Sequence, residues 1–339
     1  MKPENMPEYL RGAGLISTGD VAIEPLKGGV SSDIHRVTQG EKCFVVKQAL
    51  AKLRVKDDWY APVSRNQVEQ KYLRYVGKIL PEAVPEILHT DQEEGLFVME
   101  YLGEGYRNWK TLLLQKQTDS NLVLEAARIL GAIHKASWGD DKTLELFDTT
   151  RNFFDLRLEP YLLATGKRHP LLRGYFEAES KRISETRECL VHGDYSPKNM
   201  LIGEKRLVIL DCEVAWYGDS TFDVAFFLNH FLLKSLHLYP HSEPFLDLIA
   251  IFRDQYRKII AQRFDENALE RRIAHLLSML FLARIDGKSP VDYIVENGKK
   301  DLVRRFATRI VPQKPATIND LVNEWRTTLF SEMPLLEDA

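Results

Sequence analysis

Leu190-Val191-His192-Gly193-Asp194-Tyr195-Ser196-Pro197-Lys198-Asn199-Met200-Leu201-Ile202 is followed after a short turn by Leu207-Val208-Ile209-Leu210-Asp211-Cys212-Glu213. Apolar runs border a polar segment in each, so two neighbouring stretches can deliver oxygen-bearing side chains to one point. Asp194 stands in a loop where a carboxylate can reach a hydroxyl as general base or orienting group, a role worth about 10²–10⁴-fold in rate. Asn199 offers a neutral carbonyl oxygen, acceptable to Mg²⁺ without adding repulsion between anions. Asp211 and Glu213 lie two apart at the end of an apolar strand, and period-two alternation sends both carboxylates to one side. Mg²⁺ favours one or two carboxylates together with phosphate oxygens and water. Taken singly, Asp194 reads as a helix cap and Asp211 as a strand end. Taken together, the four suit phosphoryl transfer from ATP, which asks for positioning, metal ligands and charge stabilisation rather than covalent chemistry.

Working outward, residues 21–48 have the alternation and turn chemistry of a β-meander, with runs at Val21–Leu26, Asp33–Val37 and Cys43–Lys47 and a turn at Gln39-Gly40-Glu41. Val68, Tyr72, Tyr75, Val76 and Ile79 recur at helical spacing over 64–80, with Ser64 placed to cap the start and Pro81 and Pro85 closing the end. Short strands are expected at 85–89 and 96–101. Beyond Gly103-Glu104-Gly105 the pattern turns helical, at 122–137, 156–165, 171–186, 222–238, 243–261, 266–285 and 290–310. The strand-like pieces of this half are Met200–Ile202 and Leu207–Leu210. The expected class is α+β, with an antiparallel β-rich N-lobe over 1–103 and a larger helical C-lobe over 104–339.

His192-Gly193-Asp194, Asn199 five residues on, and Ile209-Leu210-Asp211-Cys212-Glu213 resemble the aminoglycoside phosphotransferase superfamily, which includes choline kinases and methylthioribose kinases. The Asp-x-Glu variant and Val45-Val46-Lys47-Gln48-Ala49-Leu50, with Trp59, Arg65 and Glu69 downstream, are similar to the methylthioribose kinase branch in particular. The resemblance covers roughly residues 20–230 and implies a protein-kinase-like fold using ATP and Mg²⁺. It implies Asp194 as the catalytic residue and Asn199, Asp211 and Glu213 as metal ligands. Lys47 would contact the α- and β-phosphates and be held by a helix carboxylate, for which Glu69 is the choice because Val68 and Tyr72 place it beside the buried face. The backbone of the connector Glu100-Tyr101-Leu102 would meet the adenine edge. Asp223 would steady the catalytic loop, and His192 would support it by hydrogen bonding.

Gly28-Gly29-Val30-Ser31-Ser32 lies in the turn between the first two strands. Gly28 and Gly29 let backbone N–H groups approach phosphate, and Ser31 and Ser32 can donate to it. The run is neither GxxxxGK[ST] nor GxGxxG, so a Walker or Rossmann site is not supported. Trp216 and Tyr217, just after the metal motif, are candidates for lining an acceptor pocket and equally for the core. His134 reads as a packed helix residue, and Cys212 as an inert thiol turned into the core.

Composition narrows the class. The chain has 339 residues, 44% hydrophobic and 28% charged, which is ordinary for a globular protein of two unequal parts. A formal net charge of −3 gives no reason to expect nucleic acid as a partner. Three scattered cysteines form no CxxC pair and suit a reducing cytoplasm. No secretory h-region opens the chain, and the apolar stretch 222–239 is broken by Asp223, Asn229, His230 and Lys234, as in a buried helix and unlike a membrane span. No HExxH or GxSxG is present, against zinc and α/β-hydrolase readings.

The expectation is an ATP- and Mg²⁺-dependent kinase acting on a hydroxyl of a small molecule, a sugar or thiosugar first. An aminoglycoside or choline-type kinase with a cationic substrate is the alternative. A regulatory nucleotide-binding pseudokinase is the reading from another class, and Lys47, Asp194, Asn199, Asp211 and Glu213 present together weigh against it. A monomer and a homodimer are both compatible with the sequence.

Overall fold

In the computed structural model, which describes residues 3–26, 32–50, 63–261, 263 and 265–337, the chain forms two compact units. One comprises the chain through Tyr106 together with Val208–Glu213; the other comprises Arg107–Leu207 and the chain from Val214 onward.

The first unit opens with helix α1 (Met6–Gly12) and continues with strands β1 (Ala22–Pro25), β2 (Ser32–Gln39) and β3 (Lys42–Ala49). Helix α2 (Arg65–Ile79) leads to β4 (Ile87–Asp91) and β5 (Leu96–Glu100). The strands form one antiparallel sheet in the order β1-β2-β3-β5-β4. Pleating sorts β3 into two faces. Phe44 and Val46 join Val37, Leu96 and Val98 in a cluster that α1 covers through Met6 and Leu10. Val45 and Lys47 therefore share the opposite face, and Lys47 is registered between Ile34 and Phe97. The expected helix at 64–80 is present as α2, but Ser64 makes no side-chain cap and has helical backbone angles itself. Helix α1 has no counterpart among the expected elements.

The second unit contains β6 (Arg107–Asn108), α3 (Trp109–Leu114), α4 (Ser120–Ser137), α5 (Asp141–Leu146), α6 (Thr150–Phe153), a π-helix over Phe154–Leu163, α7 (Ala164–Arg168) and α8 (Arg173–Glu185). Strands β7 (Cys189–Val191), β8 (Met200–Ile202), β9 (Leu207–Ile209), of which Val208 and Ile209 belong to the first unit, and β10 (Trp216–Gly218) follow. Helices α9 (Thr221–His237), α10 (Glu243–Ile260), α11 (Glu266–Asp286), α12 (Asn297–Gln313) and α13 (Ile318–Glu337) complete it. β7 pairs with β10 and β6 with β8, both antiparallel.

Helix α9 is buried on every side from Thr221 to Leu236, which is why apolar residues occupy all its faces around the buried polar side chains of Asp223, Asn229, His230 and Lys234. Among the described residues no helix is long and apolar enough to cross a membrane. α4 lies so close to α10 that a Cβ on Gly131 would sit 2.9 Å from Ile259 Cγ2.

Three expectations for this unit are corrected. Residues 154–163 form a π-helix where an α-helix was expected over 156–165. α12 begins at Asn297 where a helix from Pro290 was expected, because Val291 N donates back to the Arg284 carbonyl at 2.9 Å and ties this stretch to the end of α11. β6, β7 and β10 are two or three residues long and leave no periodic signature. Helix α13 was not anticipated; Leu321, Trp325, Leu329 and Met333 form its buried stripe, and Pro334 follows it near the helix end.

Candidate active site

The polar centre of the first unit is built by β3, α2 and the segment after β9. Lys47 leaves β3 on the face opposite the α1 cluster. Arg65 and Glu69, one helical turn apart on α2, meet this centre together. Lys47 Nζ donates to Glu69 Oε1 at 2.7 Å and to Asp211 Oδ1 at 3.1 Å. Arg65 Nε donates to Glu213 Oε2 at 3.0 Å, and the guanidinium also reaches the Leu50 carbonyl. Asp211 adopts φ 62°, a left-handed conformation that aspartate tolerates better than most residues and that marks sites under functional constraint.

Carboxylate oxygens of Glu69, Asp211 and Glu213 lie within 4.8 Å of one another. Burial alone would lower the Lys47 ammonium, but Glu69, Asp211 and Glu213 outweigh it and hold the proton firmly. Burial pushes the Glu69 carboxyl up, Lys47 pulls it back, and Asp211 and Glu213 push it up again, to about 7. Carboxylates that crowd each other in this way have an all-oxygen donor set suited to Mg²⁺ or Ca²⁺. Cys212, between two of these acids in sequence, is buried and points its Sγ at the Glu69 carbonyl, 3.8 Å away.

The polar centre of the second unit is the loop from His192 to Asn199. Asp223, in the first turn of α9, accepts from His192 N at 2.7 Å and Gly193 N at 2.9 Å. Behind it, His134 sits 3.4 Å from the same carboxylate and 2.7 Å from the Tyr256 hydroxyl. Gly193 has φ 78°, and a Cβ there would stand 2.8 Å from the Val214 carbonyl oxygen, so only glycine fits. Asp194 N donates to His192 Nδ1 at 3.1 Å, and Asn199 Nδ2 donates to the Asp194 carbonyl at 3.0 Å. Tyr195 donates to the Ala126 carbonyl and Asn108 to the Lys198 carbonyl, both at 2.7 Å. The Asp194 carboxylate is gripped through Oδ2 by Arg157 at 3.1 Å and by Lys198 at 3.0 Å. Arg157 also donates through Nε to the Gly193 carbonyl. Held this way, the Asp194 carboxylate is buried and fixed in direction.

The profile of the phosphotransferase enzyme family matches residues 22–276, three quarters of the chain. The chain belongs to the phosphotransferase enzyme family. A methylthioribose kinase of Bacillus velezensis is 24% identical over 267 residues, covering 70% of this chain and 67% of its own length. One from Exiguobacterium sibiricum is 27% identical over 250 residues, covering 66% and 64%. The chain thus spans about two thirds of the length of these relatives. Among solved structures, an amicoumacin kinase in complex with AMP-PNP and Ca²⁺ aligns with TM-score 0.55 and 15% identity over 93% of this chain and 95% of that one. A choline kinase from Streptococcus pneumoniae aligns with TM-score 0.51 and 17% identity over 91% and 98%. These likenesses establish a protein-kinase-like α+β fold, and the family makes this phosphotransferase a small-molecule kinase.

In this phosphotransferase Lys47, Glu69, Asp211 and Glu213 are brought together in one unit, and His192, Asp194, Asn199 and Asp223 in the other. Gly28, Gly29 and Ser31, and Trp59 of the motif, lie outside the described residues. Ser32 begins β2 and is buried. Glu100 ends β5, tied back by its N–H to the Glu86 carbonyl at 2.9 Å, and Leu102 follows in the connector.

Trp216 and Tyr217 are corrected as pocket candidates. Trp216 is wholly buried and stacks on Phe153 at 4.3 Å; Tyr217 is buried and donates to the Ser137 and Glu188 carbonyls. As neighbours on a strand the two point to opposite sides, and β10 is buried on both. The sequence reading missed Arg157 and Lys198 as partners of Asp194, and Arg65 as the partner of Glu213. Lys198 alone had a local signal, four residues after Asp194.

Proposed function

We propose that this phosphotransferase moves the γ-phosphoryl group of ATP onto a hydroxyl of a small sugar-like metabolite. The observation that carries the reading is Lys47 at 2.7 Å from Glu69 and 3.1 Å from Asp211, the arrangement expected of a phosphate-binding lysine beside a metal-binding carboxylate. Lys47 would bind the α- and β-phosphates, the backbone from Glu100 to Leu102 would take the adenine edge, and Gly28, Gly29, Ser31 and Ser32 would cover the phosphates. Asp211, Glu213 and Asn199 would hold Mg²⁺, which when bound neutralises charge on the terminal phosphates. Asp194 orients the acceptor hydroxyl and takes its proton. The acceptor oxygen bonds to the γ-phosphorus as the bond to the β,γ-bridging oxygen breaks, and ADP leaves. Asp223 and His192 hold the loop so that Asp194 needs no rearrangement. Similarity to methylthioribose kinases supports a sugar or thiosugar acceptor.

An ADP-release screen of sugars, amino alcohols and aminoglycosides, with Asp194→Ala beside the wild type, tests this. Turnover of at least one compound that Asp194→Ala abolishes is expected. Tight ATP binding with no turnover of any compound would favour a regulatory module.

A further inference from the structure

Asp194 lies at one end of a run of basic side chains drawn from four helices of the second unit. Next to Arg157, which grips Asp194, is Tyr161, two residues beyond Glu159 on the π-helix. The Tyr161 hydroxyl accepts from Arg284 of α11 at 3.1 Å. The Arg157 and Arg284 guanidinium carbons lie 5.9 and 5.6 Å from its ring centre. Its other contact is Phe226 of α9 at 5.6 Å, and Phe226 in turn meets His230 one turn along, at 5.5 Å. One more turn brings Lys234, which is wholly buried.

Among the described residues no carboxylate pairs with Lys234. Its hydrogen bond goes to the His230 carbonyl of its own helix at 3.4 Å, and its ammonium sits 5.4 Å from the Tyr293 ring. Lys110 of α3 lies 5.6 Å from that same ring and pairs with Asp292 at 2.9 Å. The Tyr293 hydroxyl and His230 Nε2 are buried with no hydrogen-bond partner among the described residues. A buried ammonium with no anion is expensive, and so are orphaned polar atoms. The surroundings agree. Burial lowers His230 well below its usual range, and Lys234, Arg284, Lys198 and Lys110 all add to the effect. Tyr161 is lowered despite burial because Arg284 and Arg157 face it.

We propose that the acceptor of this kinase carries an anionic group, a carboxylate or a phosphate, which Arg284, Lys234 and Lys110 recognise while Asp194 handles its hydroxyl. This rests on the kinase reading and narrows it. Oxygen-rich anions accept from guanidinium, ammonium and phenol donors at once, which neutral sugars do less well. A cationic acceptor of the choline or aminoglycoside type would meet the like charges of Arg284, Lys234 and Lys110, with Asp292 already paired to Lys110.

The experiment is steady-state ADP release with D-ribose, D-ribonate, ribose-5-phosphate, choline and kanamycin, repeated with Arg284→Gln and Lys234→Met. The anionic compounds are expected to exceed ribose in kcat/KM by about tenfold or more, the scale of one charge-assisted hydrogen bond, and the better of the two tells carboxylate from phosphate. Both substitutions should raise KM for that compound by about tenfold or more while KM for ATP stays within about twofold. Thermal melts confirm folding, and Arg284→Lys should restore part of the loss if Arg284→Gln acts through charge. Turnover of ribose, choline or kanamycin with the anionic compounds inert overturns this inference and leaves the kinase standing. A rise in KM for ATP instead overturns it too, because the run would then serve the nucleotide. No turnover of any compound, with AMP-PNP still bound, overturns both.

Discussion

Asp194 is held by two cations, Arg157 and Lys198, at 3.1 and 3.0 Å, so its charge and its direction are set by different neighbours from those that fix its backbone. Asp194→Asn keeps the shape and removes the charge. We expect kcat to fall by about 10²–10⁴-fold, measured by ADP release, and the melting temperature to drop as Arg157 loses its counter-charge, measured by calorimetry. Lys47→Met is a different case. Glu69 already stands near 7, so without its lysine it takes up a proton and is not stranded as a buried anion. Nucleotide affinity by calorimetric titration should drop at least about tenfold while the protein stays folded; a collapse of stability instead would make Lys47 a structural residue. Lys234 carries a pH signature. Burial, with Lys110 and Arg284 adding to it and Asp292 opposing, lowers its ammonium to about 7 from 10.5. The unfolded chain therefore binds more protons between those values, and this residue's contribution to unfolding free energy should rise with pH from about 7 to about 10.5. Denaturant titrations of wild type against Lys234→Met should differ most at and below neutrality, with the variant the more stable.

At the scale of elements, α9 and the loop before it act as a pair. Asp223→Ala leaves the N–H groups of His192 and Gly193 without their acceptor. At about 1–3 kcal/mol for each buried donor, a loss of about 2–6 kcal/mol in urea unfolding is expected, with a fall in kcat larger than the change in KM. Such pairing was partly legible in the sequence. Asp223 precedes an apolar run, and Gly193 sits where only a left-handed turn lets the loop pass Val214. Lys47 and Glu69 were legible because strand alternation and helical spacing each fix a face. Arg157 was not. A lone arginine in a helical stretch reads as solvent-facing, and the π-helix that turns its guanidinium onto the Gly193 carbonyl has no pattern to announce it. The run of Lys110, Lys234 and Arg284 escaped for the same reason, since its members are scattered over three helices and converge only in the fold.

For the whole molecule, binding of a nucleotide with its metal should raise stability by mass action. AMP-PNP with Mg²⁺ at a hundredfold over its Kd contributes about 2.7 kcal/mol, seen as an upward shift in melting temperature. EDTA should remove most of that shift; a shift unchanged by EDTA would count against metal binding at Asp211 and Glu213. Fold class was readable from the change of period near residue 103, because alternation gives way there to helical spacing. What escaped were pieces whose signal is weak for physical reasons. Strands of two or three residues show no period, and α13 carries a proline, Pro334, before its end. Trp216 and Tyr217 could not be assigned from sequence, since an aromatic beside a site and an aromatic in the core look alike until pairing with β7 decides which way they face.

Helix α9 meets solvent along almost none of its length. Its amide protons can therefore exchange with deuterium only when the surrounding helices come apart, so the slowest-exchanging amides of the chain should map to residues 223–236 and report the global unfolding free energy of that unit. Because Asp223 belongs to this helix, the loop bearing Asp194 is moored to the part of the protein that opens last. Fraying at the chain ends should then leave the reacting centre undisturbed.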